Sequence, residues 1–286
     1  MDKEPTQIES EQHQESQENA EDDLVQDIAD NAESKDDSRS REARDRSQSG
    51  APAAGHAVRD IFSTDEIFQR IVAAADEELG RPTRMLFFSG LAAGLSIGLS
   101  FMARAALTAA LPQDISGVIG NLLYPIGFIF IVMGHYQLFT ENTLSPVTLV
   151  LTRLASIPAL LYNWGLVLAA NVVGATIIAL VLANTGVLEP EATVVARDIG
   201  QHGLAETWGD LFIKGVFAGW LVAGMVWIIH AVRDSITRFL SVFLIMYLIL
   251  TVDLYHCIVG ACEGLYLVFT GEAVYSRSSG DSSSRC

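Results

Sequence analysis

Lysine and arginine are scarce in this chain of 286 residues: 18, against 34 aspartates and glutamates. A nucleic-acid binder neutralises phosphates with clustered basic side chains, so the balance argues against that class. Cysteine is scarcer still, three in all at positions 257, 262 and 286. That spacing makes neither a metal-ligand set nor a disulfide framework. No nucleophile with an attendant base and no phosphate-cradling glycine loop stands out, which leaves an enzyme the least favoured reading and gives no reason to expect a cofactor. The N-terminus lacks the basic and apolar regions of a secretory signal.

What is present is strongly segregated. Half of the chain is hydrophobic and the mean hydropathy is +0.32, yet residues 1–50 alone carry 16 acidic and 6 basic side chains. Residues 1–57 have almost no aromatic or β-branched residues and no apolar period, so they cannot bury enough surface to offset the entropy of ordering; they read as a disordered acidic tail. Residues 63–80 read as an amphipathic helix on the cytoplasmic side, lying on the membrane surface or packed on the core. Ser63 and Glu66 form a capping box, Ile67, Phe68, Ile71, Val72, Ala75 and Leu79 share a face, and Gly80 and Pro82 end it.

Beyond Met85 charge nearly disappears. Residues 85–111 hold one charge (Arg104), 115–140, 159–188 and 215–229 hold none, 239–252 is apolar, and 254–270 holds only Glu263. A hydrocarbon core about 30 Å thick takes roughly 20 apolar residues per helix, so residues 85–270 read as a transmembrane domain and a water-soluble fold is excluded. Arg81, Arg84, Arg153, Arg233 and Arg238 fall on one side of the count, while the long connection 185–210 holds Arg197 among five acids. The excess of positive charge puts the N-terminus in the cytoplasm.

Two spans are interrupted. The second runs into the polar stretch Gln137 to Pro146, and the fifth breaks at Asp253 to Gly260. Irregular backbone survives at membrane depth only where protein or a wet cavity surrounds it, so two broken helices point to a permeation path. An internal repeat agrees: Ser89 to Leu95 matches Lys214 to Trp220 with both glycines and the alanine in register. An odd number of spans separates the copies, as in an inverted repeat. Gly90, Gly94, Gly215 and Gly219 are then expected to let helices pack closely.

The motifs Leu138-Phe139-Thr140, Asn163-Trp164, Asn171 to Ala175 and the single His256 at the fifth break, in that order, resemble the formate/nitrite transporter family over residues 63–270. The run Gly134 to Thr143 looks most like its YfdC-like inner-membrane branch. The resemblance implies an all-α polytopic protein with an aquaporin-like inverted repeat, assembled as a homopentamer and passing small monovalent anions, often with a proton. It also implies that Leu138 and Phe139 form an apolar constriction, that Thr140 offers its hydroxyl to the anion, and that His256 is the central pore histidine. Physics makes the roles reasonable: a bare anion meets a large desolvation cost at an apolar neck, and a group able to lend a proton near neutral pH reduces it.

Each residue also has a bland reading. His256 could be satisfied by a neighbouring carbonyl, Thr140 could cap a half-helix, and Leu138 and Phe139 could pack in the core. Arg84 stands where the family often has a lysine, at the cytoplasmic mouth or as an interfacial anchor. His135 and His230 look interfacial. Departures from the family pattern are Asp253, Tyr255 and Gly260 around the histidine, and Ala223 where an asparagine is common. Asp253 is expected to pair with His256 and keep it positive.

The partners expected are a small monovalent anion, a proton and membrane lipid, with no nucleic acid and no metal. Residues 271–286 are too polar and too short to span, so the count is five spans with the sixth missing and Cys286 on the outer side. The alternatives are a facilitator of neutral solutes and a non-transporting truncated protein.

Overall fold

The structure, a computed structural model, describes residues 62–272. The acidic tail of residues 1–57 and the end of the chain beyond 272, with Cys286, lie outside the described residues. Every regular element among the described residues is a helix, as the apolar windows require.

The first helix, α1 (Thr64–Gly80), starts at a capping box: the Ser63 N–H donates to Glu66 Oε2 at 2.7 Å, and the Glu66 N–H donates to Ser63 Oγ at 3.4 Å. Its stripe buries Ile67 and Ile71 with Ala231, against Leu144 and Trp227. Helix α2 (Thr83–Ala109) follows, 27 residues or about 40 Å at 1.5 Å per residue.

The second span, Gln113–Met133, is pieced from α3 (Gln113–Ile119), a 3-10 turn (Gly120–Leu123) and α4 (Ile126–Met133). The chain is then irregular until a second 3-10 turn (Glu141–Thr143) and the short α5 (Ser145–Leu151). Helix α6 (Ile157–Asn184) is capped by Ser156 Oγ, which accepts from the Ala159 N–H at 3.3 Å.

The connection 185–210 is not a plain loop. It holds α7 (Pro190–Ala205), whose Ala192, Ala196, Gly200 and Gly203 are buried. Small residues three and four apart make one smooth face, which lets α7 sit directly on α2 and on the last helix. Helix α8 (Trp208–Ala231) completes a set of four apolar runs long enough to cross a membrane. Two shorter ones, α9 (Ser235–Thr251) and α10 (Cys257–Thr270), are the halves of the broken fifth span. Their exteriors stay apolar; Trp220 is 71% exposed, and Phe88 and Ile213 stand out as well. Such a surface suits lipid or a neighbouring subunit, not water.

Helices α2 and α6 approach at backbone distance. A Cβ on Gly94 would strike the Asn171 carbonyl, one on Gly174 the Leu91 carbonyl, and one on Gly90 would lie 2.8 Å from Ala170 Cβ. Gly215 and Gly219 do not repeat this. Around the position of an added Cβ at either, nothing lies within 4 Å. Within one protomer, therefore, no helix among the described residues packs on these two glycines as α6 packs on α2.

Candidate functional site

The two interruptions meet. Thr140 Oγ1 lies 2.7 Å from His256 Nε2, although the residues are 116 positions apart. Each is delivered by an irregular segment whose backbone groups find partners inside the protein.

For the first break the organiser is Asn171, wholly buried in the middle of α6. Its Nδ2 donates to the carbonyls of Gly90 (2.8 Å) and Gln137 (2.9 Å), and its Oδ1 accepts from the Phe139 N–H at 2.8 Å. One amide thus ties α2, α6 and the loop together at three points. The Gln137 N–H donates to Ser89 Oγ at 3.1 Å, Asn142 Nδ2 donates to Gln137 Oε1 at 2.6 Å, and Trp164 Nε1 donates to the Asn142 carbonyl at 3.0 Å. A polar loop in an apolar domain is held because almost every polar group in it has a protein partner.

For the second break His256 itself is the cap. Its backbone is extended, the Val259 N–H donates to Nδ1 at 3.4 Å, and α10 begins at the next residue. With Nδ1 accepting, the neutral ring carries its proton on Nε2 and donates it to Thr140. The Thr140 hydroxyl proton is then free for another acceptor. The ring is 4% exposed, and the edge-on ring of Phe128 stands 4.9 Å away.

Around this pair the other candidates separate. Leu138 is buried in the main apolar core. Phe139 is half-buried, with its ring edge-on to Trp164 at 5.9 Å. Asp253 does not pair with His256. It sits in a left-handed turn (φ 56°), and its carboxylate accepts from Lys214 Nζ at 2.6 Å and lies 3.2 Å from His202 Nε2. The turn directs the carboxylate toward α7 and α8, where a lysine is available, so the expected pairing is corrected. Arg84 is exposed, with its guanidinium 5.9 Å from the Phe88 ring centre.

A cavity of about 800 Å³ beside α1 is lined by Arg70, Arg81, Arg233 and Arg238 with Glu78 and Glu141. His135 and His230 line it as well, and His230 Nδ1 donates to the Val226 carbonyl at 2.7 Å. Arg70 and Arg233 both lie over Phe62, at 4.1 and 4.5 Å from its centre. In this cavity, burial pushes the Glu78 carboxyl up to about 7 against the pull of Arg81. A second cavity, about 600 Å³, is lined by Glu191, Asp198, His202 and Arg104.

Three features of this region were not singled out by the sequence. Asn171 was legible only as part of a motif, the arginines of the first cavity only as a charge count, and Arg104 only as the single charge in its window. The usable signal in each case was a polar or ionisable residue inside an apolar stretch.

With this geometry in hand, similarity to known proteins becomes informative. The chain matches the family model described as formate/nitrite transporter over residues 65–280. It is 33% identical over 214 residues to the inner membrane protein YfdC of Escherichia coli K12, which spans 73% of this chain and 68% of that protein. It is 25% identical over 178 residues to the formate channel FocA of Haemophilus influenzae, which covers 60% of this chain and 62% of that one. Among solved structures, an FNT family ion channel superposes with a TM-score of 0.62 at 18% identity, over 74% of this chain and 94% of the other. A pentameric formate channel with formate bound superposes at 0.55 and 20% identity, over 71% and 83%. Apolar spans, paired broken helices and a family match over most of the sequence agree, and the chain belongs to the formate/nitrite transporter family, a family of membrane transporters and not of enzymes.

Proposed function

We propose that the protein passes small monovalent anions of the formate and nitrite kind across the cell's inner membrane, with His256 and Thr140 as the central polar station. The observation that carries this reading is the 2.7 Å contact between Thr140 and His256 where two broken spans meet. An anion reaching that point meets a hydroxyl donor and an imidazole, the side chain best suited to lending and recovering a proton near neutral pH. A transient proton removes the charge that an apolar constriction penalises. Leu138 and Phe139, on the same loop, supply that constriction.

The remaining features fit this reading. The arginine-rich mouth around Arg70, Arg233 and Arg238 concentrates anions and, by the excess of positive charge on that side, belongs in the cytoplasm together with the N-terminal tail. The apolar exterior of α8 is suited to a neighbouring copy or to lipid, and a homopentamer like the solved formate channel is the assembly proposed.

Reconstitution into liposomes tests the proposal. Saturable formate or nitrite uptake that depends on pH, and that is lost in His256→Ala, is the expected result. Flux of uncharged solutes indifferent to His256 would replace it with neutral facilitation, and no flux of either kind would leave a non-transporting membrane protein.

A further inference from the structure

A third, much smaller cavity touches His256 without including Thr140. Its volume is about 30 Å³, and its walls include Arg104, Tyr124, Tyr255, His256 and Glu263. Arg104 also lines the 600 Å³ cavity beside Glu191 and Asp198. The guanidinium therefore stands at the wall shared by that cavity and the histidine chamber.

Arg104 projects from the penultimate turn of α2, beside the wholly buried Phe101 and Ala105, and its side chain is only 21% exposed. A guanidinium at that depth is costly and stays charged, so it turns inward and takes a counter-charge. The counter-charge is Glu263 of α10, with Arg104 Nη1 and Glu263 Oε1 3.6 Å apart. That is close enough to offset charge and too far for a hydrogen bond. Among the described residues Arg104 makes no hydrogen bond, so its fork of donors remains unused beside the cavity. Arginine–carboxylate pairs frequently close into a bidentate geometry, and this one does not.

The geometry assigns Arg104 as an anion-binding residue, offering its guanidinium to a small planar monoanion between the Glu191–Asp198 cavity and His256. The assignment deepens the transport reading above and rests on it for its physiological meaning. Room for roughly two waters suits an ion of three heavy atoms better than a larger carboxylate. Such an ion can accept two parallel N–H bonds from the guanidinium, where Glu263 reaches neither.

The test is anion-dependent thermal stabilisation of the full-length protein in detergent, with formate and nitrite as probes and benzoate as the oversized control. Arg104→Gln is expected to raise the half-stabilising formate concentration about tenfold, as loss of a bidentate charge-assisted pair implies. Glu263→Gln, which frees the guanidinium, is expected to lower it. A merely structural ion pair predicts the same direction for both variants, because breaking the pair from either end leaves a buried charge. That result, a wild-type response retained in Arg104→Gln, or an equal response to benzoate would overturn the assignment. Should Arg104→Gln fail to fold, Glu263→Gln alone decides: tighter formate binding supports the site, and unchanged or weaker binding removes it. Liposome flux separates the two levels. Arg104-dependent stabilisation without flux removes transport and keeps the site, whereas flux with no Arg104 dependence does the reverse.

Discussion

Thr140 and His256 share a contact of 2.7 Å, and each comes from an irregular stretch that interrupts a span. Because His256 Nδ1 is engaged by the start of α10, the ring presents its Nε2 proton to Thr140. Thr140→Val keeps the shape and removes the hydroxyl. It is expected to lower formate uptake by about tenfold, as the loss of one buried hydrogen-bond partner implies. His256→Ala is expected to abolish uptake at every pH. Initial rates in liposomes across pH 5 to 8 check both.

Asn171 offers a stability test. Asn171→Leu leaves the Phe139 N–H and the carbonyls of Gly90 and Gln137 without their partner. Each unmet buried group costs about 1–3 kcal/mol. Thermal unfolding in detergent is expected to shift down by several degrees at least, and a variant as stable as wild type would refute the organising role.

The glycines of the repeat are expected to behave unequally. Gly94→Ala drives a methyl into the Asn171 carbonyl and should sharply reduce folded yield. Gly215→Ala meets open space in the protomer and, by helix propensity, is expected to be neutral or to stabilise by up to about 1 kcal/mol. If Gly215→Ala instead breaks the oligomer on gel filtration while the protomer still folds, that face is a subunit contact.

Asp253 is held by Lys214 and His202, so Asp253→Asn should leave the pH profile of uptake where it is in the wild type. A profile moved by more than about half a unit would show that the carboxylate acts on His256 after all.

Glu78 predicts how α1 responds to pH. Its carboxyl is pushed up to about 7 by burial, above the ordinary 4.5, so the folded state holds the proton more tightly than the unfolded chain. The stability this contributes is full below about 4.5 and is lost as pH rises through about 7. Docking of α1 is therefore expected to be weaker at pH 8 than at pH 5.5. Limited proteolysis between α1 and α2 reads this out, and Glu78→Gln should flatten the response.

Much of this was legible in the residues. The capping box at Ser63 and Glu66, the charge-free windows and the two polar interruptions are local patterns, and local patterns survive in one dimension. The helix in the 185–210 connection was hidden because its face is made of alanine and glycine, which raise no hydrophobic signal although they pack closely. Asp253 was misread because proximity in sequence to His256 suggested a pair, while a left-handed turn sent the carboxylate to a lysine 39 positions away.

From residue types and their spacing alone came the membrane class, the number of apolar runs and the existence of two breaks, since a hydrocarbon layer imposes length and polarity on every segment separately. Which break faces which, that one asparagine ties the loop to two helices, and that Arg104 stands beside the histidine chamber were decided only in three dimensions. Hydrogen bonds and ion pairs between distant segments depend on how helices dock, and docking follows from side-chain shape across the whole domain.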